Sequence, residues 1–201
     1  MIRTWQAALI ALAIPALSPG ADEAAAAKFN WDPPKVGAGL FTDALGMLDR
    51  EREEYADHLA TYASNRVATA KASAASLADA RRIVALSLNL STRNKKALVL
   101  SFQLSRGVLP EAAGPDFQPD VLARLLFERG QELKKQAGAE NILMSRIFTE
   151  LSAEIDPKND DAVYASEIQR LDYGGVNWNA LTDVKARAEP EKQGAEKGEM
   201  P

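Results

Sequence analysis

One pattern is written twice in this chain, 65 residues apart: an apolar-striped helix, a short polar break carrying asparagine, and a second helix with alanine near its start. In the first copy Ala80, Val84, Ser87, Leu88 and Leu90 lead into Ser91-Thr92-Arg93-Asn94, followed by Ala97. In the second, Phe148, Leu151 and Ile155 lead into Asp156-Pro157-Lys158-Asn159, followed by Ala162. At this offset Leu86 stands against Leu151, Leu90 against Ile155, Asn94 against Asn159 and Ala97 against Ala162. The break has a simple physical basis. Proline suits the first turn of a new helix and cannot continue an old one, while Asp or Ser caps exposed amides. A small residue just after the break lets the second helix pack tightly on the first. Composition agrees: apolar residues make up 46% of the chain, much of it alanine, and aromatics only 6%. That favours close-packed helices over a sheet of β-branched and aromatic residues. The expected fold class is all-α, built from antiparallel helical hairpins with a long N-terminal helix.

Over residues 77–173 the chain resembles the tetratricopeptide-repeat family, in which one helix ends in a Leu-Asp-Pro-x-Asn type junction and the first helix of the next unit follows. Ile155-Asp156-Pro157-Lys158-Asn159 fits that junction, and Leu90-Ser91-Thr92-Arg93-Asn94 fits it with the proline missing. Ala80 falls where the family carries a small residue, and 65 residues is close to two periods of about 34. The likeness is degenerate. Ser101-Phe102 and Ser166-Glu167 stand where the family has a Leu-Gly pair, and residues 107–120, with Pro110, Pro115 and Pro119, make a loop longer than a regular repeat turn. A helical bundle of other geometry is the alternative. The resemblance implies a surface that holds a protein or peptide partner.

The first residues bear on compartment. Arg3 supplies a positive charge, residues 5–17 are apolar apart from Gln6, and Pro15, Ser18, Pro19 and Gly20 break the run before small residues follow. This is the pattern of a secretory signal peptide over residues 1–27; an uncleaved membrane anchor is the alternative. Export to the periplasm or the extracellular space is expected. Residues 28–40, with Trp31, Pro33 and Pro34, form an extended segment that lays Trp31 on the body. Residues 41–182 form the helical domain. In it Thr42 or Asp43 caps a long helix whose stripe is Leu45, Leu48, Tyr55, Leu59 and Tyr62, continuing through the alanine-rich residues 67–80. Residues 121–136 and 139–155 pair across Ala137-Gly138. Gly174-Gly175 ends a later helix, and Val176, Trp178 and Leu181 are the last packed residues. Residues 183–201 are a charged tail with almost nothing to bury.

Chemistry-bearing constellations are sparse. The chain has no cysteine and one histidine, so thiolate sites and familiar zinc clusters are excluded. His58 lies beside the Tyr55, Leu59 and Tyr62 stripe with no nucleophile motif near it. Asp49-Arg50-Glu51-Arg52-Glu53-Glu54 reads as a solvated face with pairs such as Arg50 and Glu54. Residues 156–161 lack the glycine and the later glutamate of a calcium loop. Gly37-Ala38-Gly39 has no third glycine and no preceding strand, and Lys95-Lys96 and Lys134-Lys135 are isolated basic pairs. Trp31 and Trp178 read as packing for the flanks rather than partner anchors. No catalytic, cofactor-binding or metal-ligating residue is assigned, and no cofactor is expected. A net charge of −4 argues against a nucleic-acid partner. The expectation is an exported, non-enzymatic interaction module with a protein or peptide partner, touching membrane only through the signal segment if uncleaved. A homo-oligomer assembled through the 45–62 stripe as a coiled coil, or an enzyme built on acidic residues, is the alternative.

Overall fold

The computed structural model describes residues 29–183. The expected signal segment, and the expected tail apart from Asp183, lie outside them. The described residues form seven helices: α1 (Asp49–Thr69), α2 (Ala74–Leu90), α3 (Lys95–Ser105), α4 (Pro119–Gln136), α5 (Ala139–Ile155), α6 (Asp160–Tyr173) and α7 (Trp178–Thr182). Among the described residues the only β pairing is an isolated bridge between Lys35 and Asp183. The protein is all-α.

The long helix expected from residue 42 through residue 80 is two shorter helices, and the first begins later. Thr42 does not cap it: its amide and hydroxyl both donate to the Glu140 carboxylate, at 2.9 and 2.8 Å. The Gly46 amide donates to Asn141 Oδ1 at 2.7 Å. The buried Arg52 guanidinium donates to the carbonyls of Thr42 (2.6 Å), Leu45 (3.1 Å) and Met47 (3.1 Å). Backbone groups that a helix would need are thus satisfied by side chains, which holds residues 42–47 in a non-helical wrap. The second interruption is the turn from α1 into α2, where Lys71 and Ala72 take φ of 49° and 53°. Ser73 then accepts the Ser76 amide as the cap of α2. Left-handed backbone at alanine and lysine is uncommon, so an alanine-rich run gives no sign of it.

Two hairpins carry the core, α1 with α2 and α4 with α5, and they are joined internally in the same way. Ser87 Oγ on α2 donates to the Ala56 carbonyl on α1 at 2.6 Å, and Ser152 Oγ on α5 donates to the Ala123 carbonyl on α4 at 2.6 Å. Both bonds are buried. Small residues mark the close approach in each. Ala63 is fully buried on α1; a Cβ at Gly130 on α4 would sit 3.2 Å from the Ser145 carbonyl and 3.3 Å from Phe148 Cβ.

The helix that follows each hairpin is also started in the same way. Asn94 accepts the Ala97 amide at 2.9 Å and Asn159 the Ala162 amide at 3.1 Å. One turn earlier, the Ser91 amide donates to the Ser87 carbonyl and the Asp156 amide to the Ser152 carbonyl. Ala97 and Ala162 are both fully buried.

The hairpins meet along a seam where Tyr55 stacks on Phe148, ring centroids 5.2 Å apart, and donates its hydroxyl to the Leu125 carbonyl at 3.3 Å. Burial, with the nearby Glu51 carboxylate adding to it, pushes the Tyr55 phenol up to about 12. Glu51 pairs with Arg129 across the same seam, and Glu154 with Arg82. The 45–62 stripe is therefore largely used inside the chain. Leu45 and Leu59 are buried, Tyr55 and Tyr62 pack on the core, and Leu48 alone of the stripe is exposed. After α6 the chain returns across the body: Glu150 accepts the Val176 amide and the Trp178 indole N–H, and α7 packs on α2. Asp183, expected to begin the free tail, instead pairs with Arg81 at 2.9 Å, which holds its carboxyl below the usual range. Trp31 is buried beside α2, as the flanking-segment reading expects, with its indole N–H unpartnered.

A candidate binding groove between α4, α5 and α6

The helices after the two hairpins begin alike and then diverge. On α3 the inward face is Ala97, Leu100 and Leu104, all buried in the core, and the helix packs on both α1 and α2. The positions 65 residues further along α6 are Ala162, Ala165 and Gln169. Only Ala162 is fully buried there, and α6 rests mainly on α5. Where two leucines would fill the angle between α6 and its hairpin, an open groove of about 290 Å3 remains. Gln131 and Lys134 of α4 form one wall, Ile142, Ser145, Arg146 and Thr149 of α5 the floor, and Tyr164, Ala165, Ile168, Gln169, Asp172 and Tyr173 of α6 the other wall.

The floor has changed in step with the wall. Ala80 and Val84 on α2 correspond to Ser145 and Thr149 on α5, again 65 residues on. Ser145 and Thr149 are only 3% and 2% exposed. Neither hydroxyl hydrogen-bonds another group among the described residues. Both line the open groove, so their hydroxyls can donate to and accept from what enters it. The Gln169 amide N–H donates to the Arg146 carbonyl at 2.9 Å, and its side-chain oxygen accepts no hydrogen bond among the described residues.

Arg146 sets the far end of the groove. Its Nη2 donates to the Gly174 carbonyl at 2.8 Å and reaches the Tyr173 carbonyl at 3.4 Å, and its guanidinium lies 5.5 Å from the Tyr173 ring centroid. A cation on the last carbonyls of a helix complements the negative end of its dipole. Gly174, with φ of 76°, ends that helix as the sequence suggests. Arg146 Nε is buried without a partner. Lys134 and Asp172 line the groove and form no ion pair among the described residues.

The residues weighed for chemistry in the sequence fall elsewhere. His58 is exposed on α1, away from the groove. Arg50 and Glu54 form an exposed pair at 3.0 Å, while Arg52 and Glu51 are spent on the structural bonds described above. Residues 156–161 are the α5–α6 junction, with Asp156 Oδ1 accepting the Lys158 amide. Gly37 and Gly39 lie in a turn with φ of 63° and 89°. Lys96 pairs with Asp57, and Lys134 alone of the two basic pairs reaches the groove. Trp178 is held by Glu150 and lies under the Arg82 guanidinium, 5.0 Å from its ring centroid. Among the described residues no three His, Asp or Glu side chains converge as a metal site would require, and no helix is long and apolar enough to cross a membrane.

The residues that match between the two copies give no sign of the groove. Its signal lies one and two turns beyond Ala97 and Ala162, where Leu100 corresponds to Ala165 and Leu104 to Gln169 at the 65-residue offset. Comparison of the chain with known proteins found no matching family model, no matching curated protein and no matching solved structure.

Proposed function

We propose that this chain is a non-enzymatic interaction module, a degenerate tetratricopeptide-like array of helical hairpins that acts after export and holds a segment of a protein partner in the groove between α4, α5 and α6. One observation carries this reading. The two hairpins share their internal serine bond and their Asn-capped junction, yet the second opens a groove where the first has a leucine-filled core. A packing defect would leave apolar walls around a void. Here the floor carries hydroxyls and the walls carry Gln131, Gln169 and Lys134, the mixture of apolar surface and a few placed polar groups that ligand sites use. The groove holds no histidine and only one carboxylate, Asp172, so it lacks a paired acid and base for hydrolytic chemistry.

The reading is tested by placing a photo-crosslinking amino acid at Ile168, on the groove wall, and separately at the exposed His58. Irradiation of the exported fraction should give a discrete protein adduct from position 168 alone, and Ala165→Leu should suppress it. Adducts from position 58 only, or a position-168 adduct untouched by Ala165→Leu, would contradict the groove as the binding surface. Recovery of the chain solely in the cytoplasmic fraction would contradict export.

A further inference from the structure

We infer that the groove's occupant is an extended peptide that inserts a leucine-sized aliphatic side chain over Ala165 and sets a carboxylate beside Lys134. This rests on the peptide-binding reading above and adds the chemistry of the ligand.

Size comes first. A volume of about 290 Å3 lies at the lower edge of the roughly 300–1,000 Å3 that engulfs a whole small-molecule ligand. It suits side chains entering from a longer molecule. The comparison within the chain says which. Leu100 and Leu104 are buried on α3, and the matching positions on α6 are Ala165 and Gln169. The missing volume is therefore that of branched aliphatic side chains, and Ile142 and Ile168 give it apolar walls.

Backbone form follows from the floor. The Ser145 and Thr149 hydroxyls each offer a donor and an acceptor, and the Gln169 carbonyl oxygen a further acceptor. An extended peptide exposes an amide N–H and a carbonyl at every residue and can meet all three. A docked helix spends those groups on its own bonds and would leave the floor unmet.

Charge completes the description. Two cations, Lys134 and Arg146, and one carboxylate, Asp172, line the groove. Arg146 is engaged with the end of α6, whereas Lys134 has no ion pair among the described residues. An acidic residue next to the aliphatic one matches that net positive lining, on a protein whose total charge is −4.

The test is to pan a phage-displayed random heptapeptide library on the full chain, then measure binding of enriched peptides by fluorescence polarisation. The chain, Ala165→Leu and Lys134→Glu are compared. The expected consensus pairs Leu, Ile or Val with Asp or Glu, and both variants weaken binding at least tenfold. Panning repeated on Lys134→Glu should move the consensus from acidic to basic. Lys134 is exposed, so that arm stands even if Ala165→Leu folds poorly. A basic consensus on the unmodified chain, or peptides that turn helical on binding by circular dichroism, overturns this inference and leaves a peptide site in place. Enriched peptides indifferent to both variants, or no enrichment at all, overturn the groove reading itself.

Discussion

The segment α1–α3 and the segment α4–α6 solve the same packing problem to different ends. Each is a hairpin clasped by a buried serine on a carbonyl, followed by an Asn-capped helix whose first inward residue is a fully buried alanine. Beyond that alanine they part. α3 drives Leu100 and Leu104 into the core, while α6 carries Ala165 and Gln169 and leaves Tyr164 and Leu171 exposed at 69% and 78%. The shared bonds set where a helix starts and how it approaches its hairpin. The two following turns decide whether the angle between them becomes core or cleft. Arg81 and Arg146, also 65 residues apart, show the same division. Both tie down later chain, the first through the Asp183 carboxylate and the second through the carbonyls that end α6, and only the second borders the groove.

The largest effect should come where the halves differ. Leu104→Ala empties a filled core position and should lower the unfolding free energy by about 2–5 kcal/mol. The matching Gln169→Ala loses one hydrogen bond to a carbonyl and should cost only about 1 kcal/mol. Equal losses in denaturant titrations would mean that α6 is packed as α3 is.

Where the halves agree, paired substitutions should agree too. Ala97→Leu and Ala162→Leu each force a large side chain into a fully buried position at the junction, and each should cost about 1–3 kcal/mol. A neutral Ala162→Leu would mean that α6 is free to shift away from α5. The smallest pair is Ser87→Ala and Ser152→Ala. Each removes a 2.6 Å buried bond to a carbonyl and should cost about 1 kcal/mol. A difference well beyond that between the two would show that the hairpins are clasped differently.

Local chemistry decided what could be read from sequence. The bounds of α4 and α5 across Ala137-Gly138, the junctions at Asn94 and Asn159 and the stop at Gly174 all rest on turn and cap residues with one dominant use, and all were legible. Two features hid from the same logic. Residues 42–47 look like the start of a helix until Arg52 and Glu140, from beyond them in the chain, take up their polar groups. The break after Thr69 relies on left-handed Lys71 and Ala72, residue types that do not announce it. Pro119, which falls in the expected loop of residues 107–120, is the first residue of α4, a position proline favours. The groove was hardest because it consists of missing volume. Ala165 and Gln169 are unremarkable on a helix and acquire meaning only beside Leu100 and Leu104.

α6 lacks a leucine's worth of packing where α3 has it, and the proposed peptide site depends on that space. The most direct measurement is the unfolding free energy of Ala165→Leu by denaturant titration, without ligand. A leucine there refills the open angle, so stability should rise by about 0.5–2 kcal/mol, as cavity-filling substitutions commonly do. A fall of about 1–3 kcal/mol, the usual result of overpacking, would show that no such space exists and would contradict the account.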